Sequence, residues 1–158
     1  MKTLNFIKTY FSPEDDLTGV YLDLIKKAKK SIWIVDYSFN LTNLVELLNQ
    51  KVNEGVDVRL CLDKSQSGGM SEKIAIAKMI KGLKQQVVFG DSSRGKIIHD
   101  KFTIIDGKIV ESGSWNYTFV AEEEDNFIDV IKSKQRAKAF TAAFDRIYSR
   151  LIRNAYDF

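Results

Sequence analysis

The 158-residue chain has one histidine, one cysteine and one proline. A lone cysteine, Cys61, excludes an intrachain disulfide. One cysteine and one histidine cannot build a four-ligand structural zinc site. With a single proline and no biased tract, a long disordered segment is not expected. No apolar run approaches the ~20 residues of a membrane span. No basic-then-apolar leader pattern opens the sequence, so the expectation is a cytoplasmic chain without stable membrane insertion. No cofactor or metal is called for. The formal net charge is only +3, which permits a polyanionic partner without demanding one.

What remains is an ordinary globular composition, 44% hydrophobic and 28% charged, in a length that suits one domain over residues 1–158. Strand and helix patterns alternate. The run from Thr3 to Phe11 reads as a strand. Ser12-Pro13-Glu14-Asp15 then reads as a capped helix start, with the helix running to Lys29. Leu17, Val20, Tyr21, Leu24, Ile25 and Ala28 form its apolar stripe. Strands are expected at 31–39, 56–62, 86–89, 101–105, 109–112 and 126–131. Helices are expected at 41–53, 71–81, 115–122 and 134–153, with Gly55 stopping the first of these. Phe140, Phe144, Ile147 and Leu151 give the last helix its stripe. Residues 63–69 and 90–95 read as polar loops. Asp106-Gly107 reads as a tight hairpin turn. The fold class is α/β: a mixed β-sheet flanked by helices on both faces. Cys61, inside an apolar strand, reads as a small core residue.

The single histidine, His99, opens the run His99-Asp100-Lys101-Phe102-Thr103-Ile104-Ile105-Asp106-Gly107, and Gly113-Ser114-Trp115-Asn116 follows. Strand alternation puts His99 and Lys101 on one face. A ring that attacks or donates a proton then sits beside a fixed positive charge, a pairing that suits a phosphate. The pattern His-x-Lys-x(4)-Asp followed by Gly-Ser-x-Asn resembles that of the phospholipase D superfamily, most closely its small single-motif bacterial endonucleases. Phe11-Ser12-Pro13, Ser31-Ile32 and Tyr37-Ser38-Phe39 resemble the same branch.

The resemblance implies a fold and a set of roles. His99 is the implied nucleophile, forming a phosphohistidine. Lys101 and Asn116 are the implied phosphate-binding groups, Ser114 lines the site, and Asp106 is an orienting or turn residue. The implied carboxylate that orients the histidine is Asp125, ahead of Asn126, with Glu124 the alternative. One histidine per chain implies a homodimer with a composite active site. In it His99 of one subunit attacks, His99 of the other protonates the leaving group, and no metal is needed. The implied activity is metal-independent endonucleolytic cleavage of DNA, with RNA left open, giving 5′-phosphate and 3′-hydroxyl ends. A lipid phosphodiesterase acting on cardiolipin-like substrates is the second reading, and a nucleic-acid-binding protein with little catalysis the third.

Further residues are candidates for substrate contact. Ser92, Ser93, Arg94 and Lys96 precede the motif and are expected to line a strand-binding groove. Trp115 and Tyr117 flank Asn116 as stacking platforms or core. Arg146, Arg150 and Arg153 are expected to share one face of the last helix. The acidic run Glu122 to Asp125 would repel a phosphate unless turned away.

Overall fold

The computed structural model describes residues 6–156. Two central strands show how the sequence builds layers. In β2 (Ser31–Asp36), Ile32 and Ile34 point to one side of the sheet, while Trp33 and Val35 point to the other. In β3 (Asp57–Asp63), Val58, Leu60 and Leu62 follow the first side and Cys61 the second. Both faces therefore need cover. The first is covered by α1 (Leu17–Lys27) and α2 (Thr42–Asn53), through Leu17, Tyr21, Ile25, Leu44 and Leu48. The second is covered by one long helix, residues 134–156, whose Ala137, Phe144 and Leu151 are buried against Val35, Cys61, Phe102, Ile104 and Val110.

The remaining strands are β1 (Phe6–Ser12), β4 (Val87–Gly90), β5 (Phe102–Ile105), β6 (Ile109–Gly113) and β7 (Asn126–Lys132). All seven form one mixed sheet in the order β1-β7-β6-β5-β2-β3-β4. The strands β2, β3 and β4 run parallel, and the other pairings are antiparallel. The chain thus steps outward from β2 to β4, then crosses back and lays β5 on the other side of β2. That reversal falls at the C-terminal end of β2, the place where open α/β sheets bind ligands. The register Val35↔Phe102 brings the end of β2 and the start of β5 together there.

Several local expectations need correction. The strand expected from Thr3 begins, within the described residues, at Phe6, and Thr3 to Asn5 lie outside them. Ser12 does not cap α1. Its hydroxyl is committed to Glu124 and Asn126, and Asp16 caps the helix by accepting from the Gly19 N–H at 2.8 Å. The stretch 63–69 is not an open loop. Asp63 caps a short helix α3 (Lys64–Ser67). The helix expected at 71–81 is split into α4 (Met70–Ala77) and α5 (Lys81–Lys84). Asn49 breaks it, donating to the Lys78 carbonyl and accepting from the Ile80 N–H. Residues 115–119 are irregular, and only Val120–Glu123 forms a 3-10 turn. There the Tyr117 N–H goes to Asp36, and the Tyr117 carbonyl accepts from Asn40 and Leu41 instead of closing a helical turn. The helix at 134–156 is named α6.

Candidate active site

Three segments meet at the C-terminal end of β2. The first enters β5 and carries His99 and Lys101. His99 is exposed, whereas Lys101 is only 8% exposed. The Lys101 ammonium donates to the His99 carbonyl at 2.8 Å. The second leaves β2 and carries Tyr37. Its ring meets the His99 ring edge-on at 5.1 Å, and the Lys101 Nζ lies 5.6 Å from its centroid. His99 and Lys101 are therefore brought to one spot, with Tyr37 as a shared wall. The third leaves β6 and carries Ser114 and Asn116. Asn116 is half-buried, and its Oδ1 is buried without a hydrogen-bond partner among the described residues.

The fold holds the His99 segment from below. Asp63, fully buried at the end of β3, accepts the Ile98 N–H at 2.7 Å through one oxygen. Its other oxygen accepts from Ser65 and Gln66. One carboxylate thus ties the residue before His99 to the start of α3. Asp36, fully buried at the end of β2, accepts the Tyr117 N–H at 3.0 Å and the Tyr37 N–H at 2.9 Å. It fastens the Asn116 turn to the Tyr37 loop.

A polar layer lies beneath. The hydroxyls of Tyr21, Thr103 and Tyr117 form a chain with links of 2.7 Å and 2.8 Å, and Tyr117 donates onward to Glu111. Tyr21 and Tyr117 stack at 4.5 Å, and Trp115 meets both rings edge-on. Glu111 is almost wholly buried, and burial pushes its carboxyl up to about 8. Burial also raises Asp36 well above the carboxylate range, against the pull of its two N–H donors and Lys101. For Lys101, burial lowers the ammonium below its ordinary value, while Asp36 and Asp100 resist.

The other motif residues have assignable neighbours. Asp106 and Gly107 both have positive φ, at 54° and 62°, in the three-residue turn that joins the paired Ile105 and Ile109. The Asp106 carboxylate accepts N–H groups of Lys29, Lys30 and Ser31. Burial works against its charge, but those donors outweigh it and hold the carboxyl below its usual value. Asp106 thus pins the hairpin to the start of β2, at the end of the sheet away from His99. The Ser114 hydroxyl donates to Asn126 Oδ1 at 2.9 Å and accepts from the Phe127 N–H at 3.1 Å, locking β6 to β7. Asp125 is exposed in a recess with Phe11, Ser12, Glu14 and Phe127. Among the described residues, neither Asp125 nor Glu124 hydrogen-bonds to His99, and the Glu124 carboxylate accepts from Asn126 at 3.3 Å.

Two substrate-contact expectations change. Trp115 is 0% exposed, so it serves the core and cannot stack on a ligand. Arg150 does not share an open face with Arg146 and Arg153. It is half-buried and donates to the Asp91 carbonyl. In the 90–95 loop the Ser92 hydroxyl accepts from the Arg94 and Lys96 N–H groups and closes the turn, leaving Ser93, Arg94 and Lys96 exposed. The acidic run is partly spent on structure, since Glu122 accepts from both the Thr18 N–H and hydroxyl.

Sequence reasoning missed Asp36, Asp63 and Glu111. The available signal was an apolar strand closing on a buried aspartate, in β2 and again in β3, at a point where the strand order reverses.

Known proteins share this fold. The family model described as "Cardiolipin synthase, PLD-like domain" matches residues 21–148. Phospholipase D of Rickettsia typhi is 27% identical over 136 residues, covering 85% of this chain and 64% of that protein. Mitochondrial cardiolipin hydrolase of Xenopus tropicalis is 26% identical over 137 residues, covering 85% and 62%. The chain thus spans a little under two thirds of these curated relatives. The crystal structure of Nuc, a phospholipase D family member from Salmonella typhimurium, superposes with a TM-score of 0.81 at 25% identity, covering 92% of this chain and 95% of that one. By the family model matched over residues 21–148, the chain belongs to the phospholipase D-like domain family.

Proposed function

We propose that the chain is a phosphodiesterase that cleaves DNA, and RNA where accessible, by phosphoryl transfer through His99. The observation that carries this reading is the exposed His99 ring set beside the nearly buried Lys101 ammonium, both against Tyr37. A ring nitrogen of His99 attacks phosphorus, the N–P bond forms, and the P–O bond to the 3′-oxygen breaks. His99 of the partner subunit gives that oxygen its proton. Water then attacks phosphorus and passes a proton to the same partner imidazole, and the N–P bond breaks to leave a 5′-phosphate. Lys101 and Asn116 hold the equatorial oxygens as charge builds on them. Asp125 or Glu124 fixes the tautomer of the attacking ring across the assembled site. Ser93, Arg94 and Lys96 meet the strand backbone.

One chain carries one histidine, so this chemistry needs a homodimer. Phe11, Phe119, Val120 and Phe127 are 39–60% exposed. They lie at the ends of β1 and β7 and just past Asn116, an apolar border suited to a second copy. Hydrolysis of phosphatidyl substrates at the same site is the second reading. It is favoured by the names of the curated relatives, a phospholipase D and a cardiolipin hydrolase.

The test is cleavage of plasmid and single-stranded oligonucleotide in excess EDTA, wild type beside His99→Ala, with cardiolipin liposomes in parallel. Nucleic-acid cleavage that survives EDTA and is lost in the variant is the expected result. Liposome hydrolysis alone moves the reading to a lipid phosphodiesterase. No turnover of any substrate by the folded protein overturns the enzymatic reading.

A further inference from the structure

We propose that Asp36 is a positioning residue for phosphoryl transfer: from the end of β2 its carboxylate holds the turn bearing Asn116 and the loop bearing Tyr37, facing Lys101 across the β2–β5 register. The proposal rests on the phosphodiesterase reading of the site. Asp36 lies outside the histidine–lysine and serine–asparagine motifs.

The geometry is specific. Val35 pairs with Phe102, so Asp36 and Lys101 are the next residues along the two strands. On β2, Asp36 follows Ile32 and Ile34 on the face that also carries Thr103 and Ile105 of β5. Each Asp36 oxygen accepts a different backbone N–H, one from Tyr37 and one from Tyr117. Asparagine offers one acceptor and would set an NH2 against the other N–H. A carboxylate is therefore the group that satisfies both donors.

Burying a carboxylate is costly unless it is hydrogen-bonded and faced by positive charge. Asp36 has two N–H donors, and Lys101 is the positive group facing it. The other ionisable groups around it are Glu111 from β6, Tyr21 from α1 and Tyr117 from the turn. Around Lys101 the negative groups are Asp36 and Asp100. In its ionised form, which burial opposes, Asp36 is the buried group that favours an ionised Lys101. It also sets where Tyr37 stands against His99 and where Asn116 stands relative to Lys101. A displacement of about 1 Å among such groups is enough to cost on the order of 100-fold in rate.

The experiment compares wild type with Asp36→Asn on bis(p-nitrophenyl) phosphate, with folding checked by circular dichroism and a cooperative melt. The expected result is a folded variant whose kcat falls about 10- to 100-fold, whereas KM changes less than about threefold. The alkaline limb of kcat/KM moves to lower pH, because an asparagine cannot ionise as the pH rises and so no longer opposes loss of the lysine proton. A role confined to stability would leave the limb in place. In parallel, the Lys101 side chain is titrated by NMR on 13C-lysine protein, assigned with Lys101→Arg. It is expected to lose its proton at lower pH in Asp36→Asn. Should Asp36→Asn fail to fold, Asp36→Ser, which leaves room for water at both N–H groups, is read the same way. Unchanged kcat with an unmoved alkaline limb, or identical Lys101 titrations, overturns the proposal. Absence of turnover in the wild type itself overturns the phosphodiesterase reading instead, and the titration still decides the link between Asp36 and Lys101.

Discussion

Lys101 and Glu111 are ionisable side chains kept almost wholly out of water, and each follows a different logic. Lys101 sits at the C-terminal end of β2, hydrogen-bonded to the His99 carbonyl and faced by acidic groups, where a cation is useful to a phosphate. Glu111 lies deeper, with one oxygen bonded to Tyr117 and the other without a partner among the described residues. Its pKa rises from 4.5 to about 8. The folded state therefore binds this proton more tightly than the unfolded chain does. Its stabilising contribution is complete below the unfolded value and is lost as pH rises through the folded one. Unfolding free energy should fall between about pH 5 and 8, by at most about 1.4 kcal/mol per pH unit from this group. Glu111→Gln can still accept from Tyr117 and carries no charge. Urea unfolding at several pH values should show a flatter profile for Glu111→Gln than for wild type, and parallel profiles would rule out Glu111 as the source. A second expectation concerns Asp63. Replacing it with alanine frees the Ile98 N–H and uncaps α3, so stability should fall by about 2–4 kcal/mol. Turnover per folded molecule should fall as well, because the His99 segment loses its tether. A denaturation curve and a rate on the same sample separate the two effects.

Among the elements, α6 and the β6–β7 edge depend on close packing. Phe144 of α6 stacks on Trp33 at 5.2 Å and on Tyr148 at 5.3 Å, and it is fully buried. Phe144→Ala should cost about 3–5 kcal/mol by chemical denaturation. A loss under 1 kcal/mol would contradict the view that α6 seals this face of the sheet. At Gly113 an added Cβ would land on the Phe127 carbonyl, so β7 passes too close for any side chain there. Gly113→Ala should therefore splay the segment that carries Ser114 and Asn116. Periodicity revealed most of these elements. The stripes of α1 and α6, the apolar strands and the Asp106-Gly107 turn were all legible because each is a local pattern. What sequence reading missed arises from contacts distant along the chain. Asn49 splits a helix by capping residues 78–80. Asp36 pulls residues 115–119 out of a helix by taking the Tyr117 N–H. The motif pointed to His99, Lys101 and Asn116, but the buried aspartates that hold their segments became visible only once the strand order was known.

For the molecule as a whole, the strand order and directions place the His99–Lys101 and Ser114–Asn116 segments at one end of the sheet, together with the exposed Phe11, Phe119, Val120 and Phe127. If two copies complete the site there, specific activity should fall as the protein is diluted through dimer dissociation. Sedimentation should show the dimer at the concentrations where activity is full. A monomer with constant specific activity would contradict the composite site. The proposed chemistry turns on a ring nitrogen of His99 as the atom that takes the phosphoryl group. The most direct test is to quench turnover of bis(p-nitrophenyl) phosphate at alkaline pH, where phosphohistidine survives, and to map the adduct by mass spectrometry. The expected result is a p-nitrophenyl phosphoryl group on the peptide containing His99, absent in His99→Ala. Turnover with no adduct on His99, or with activity retained in His99→Ala, would contradict it.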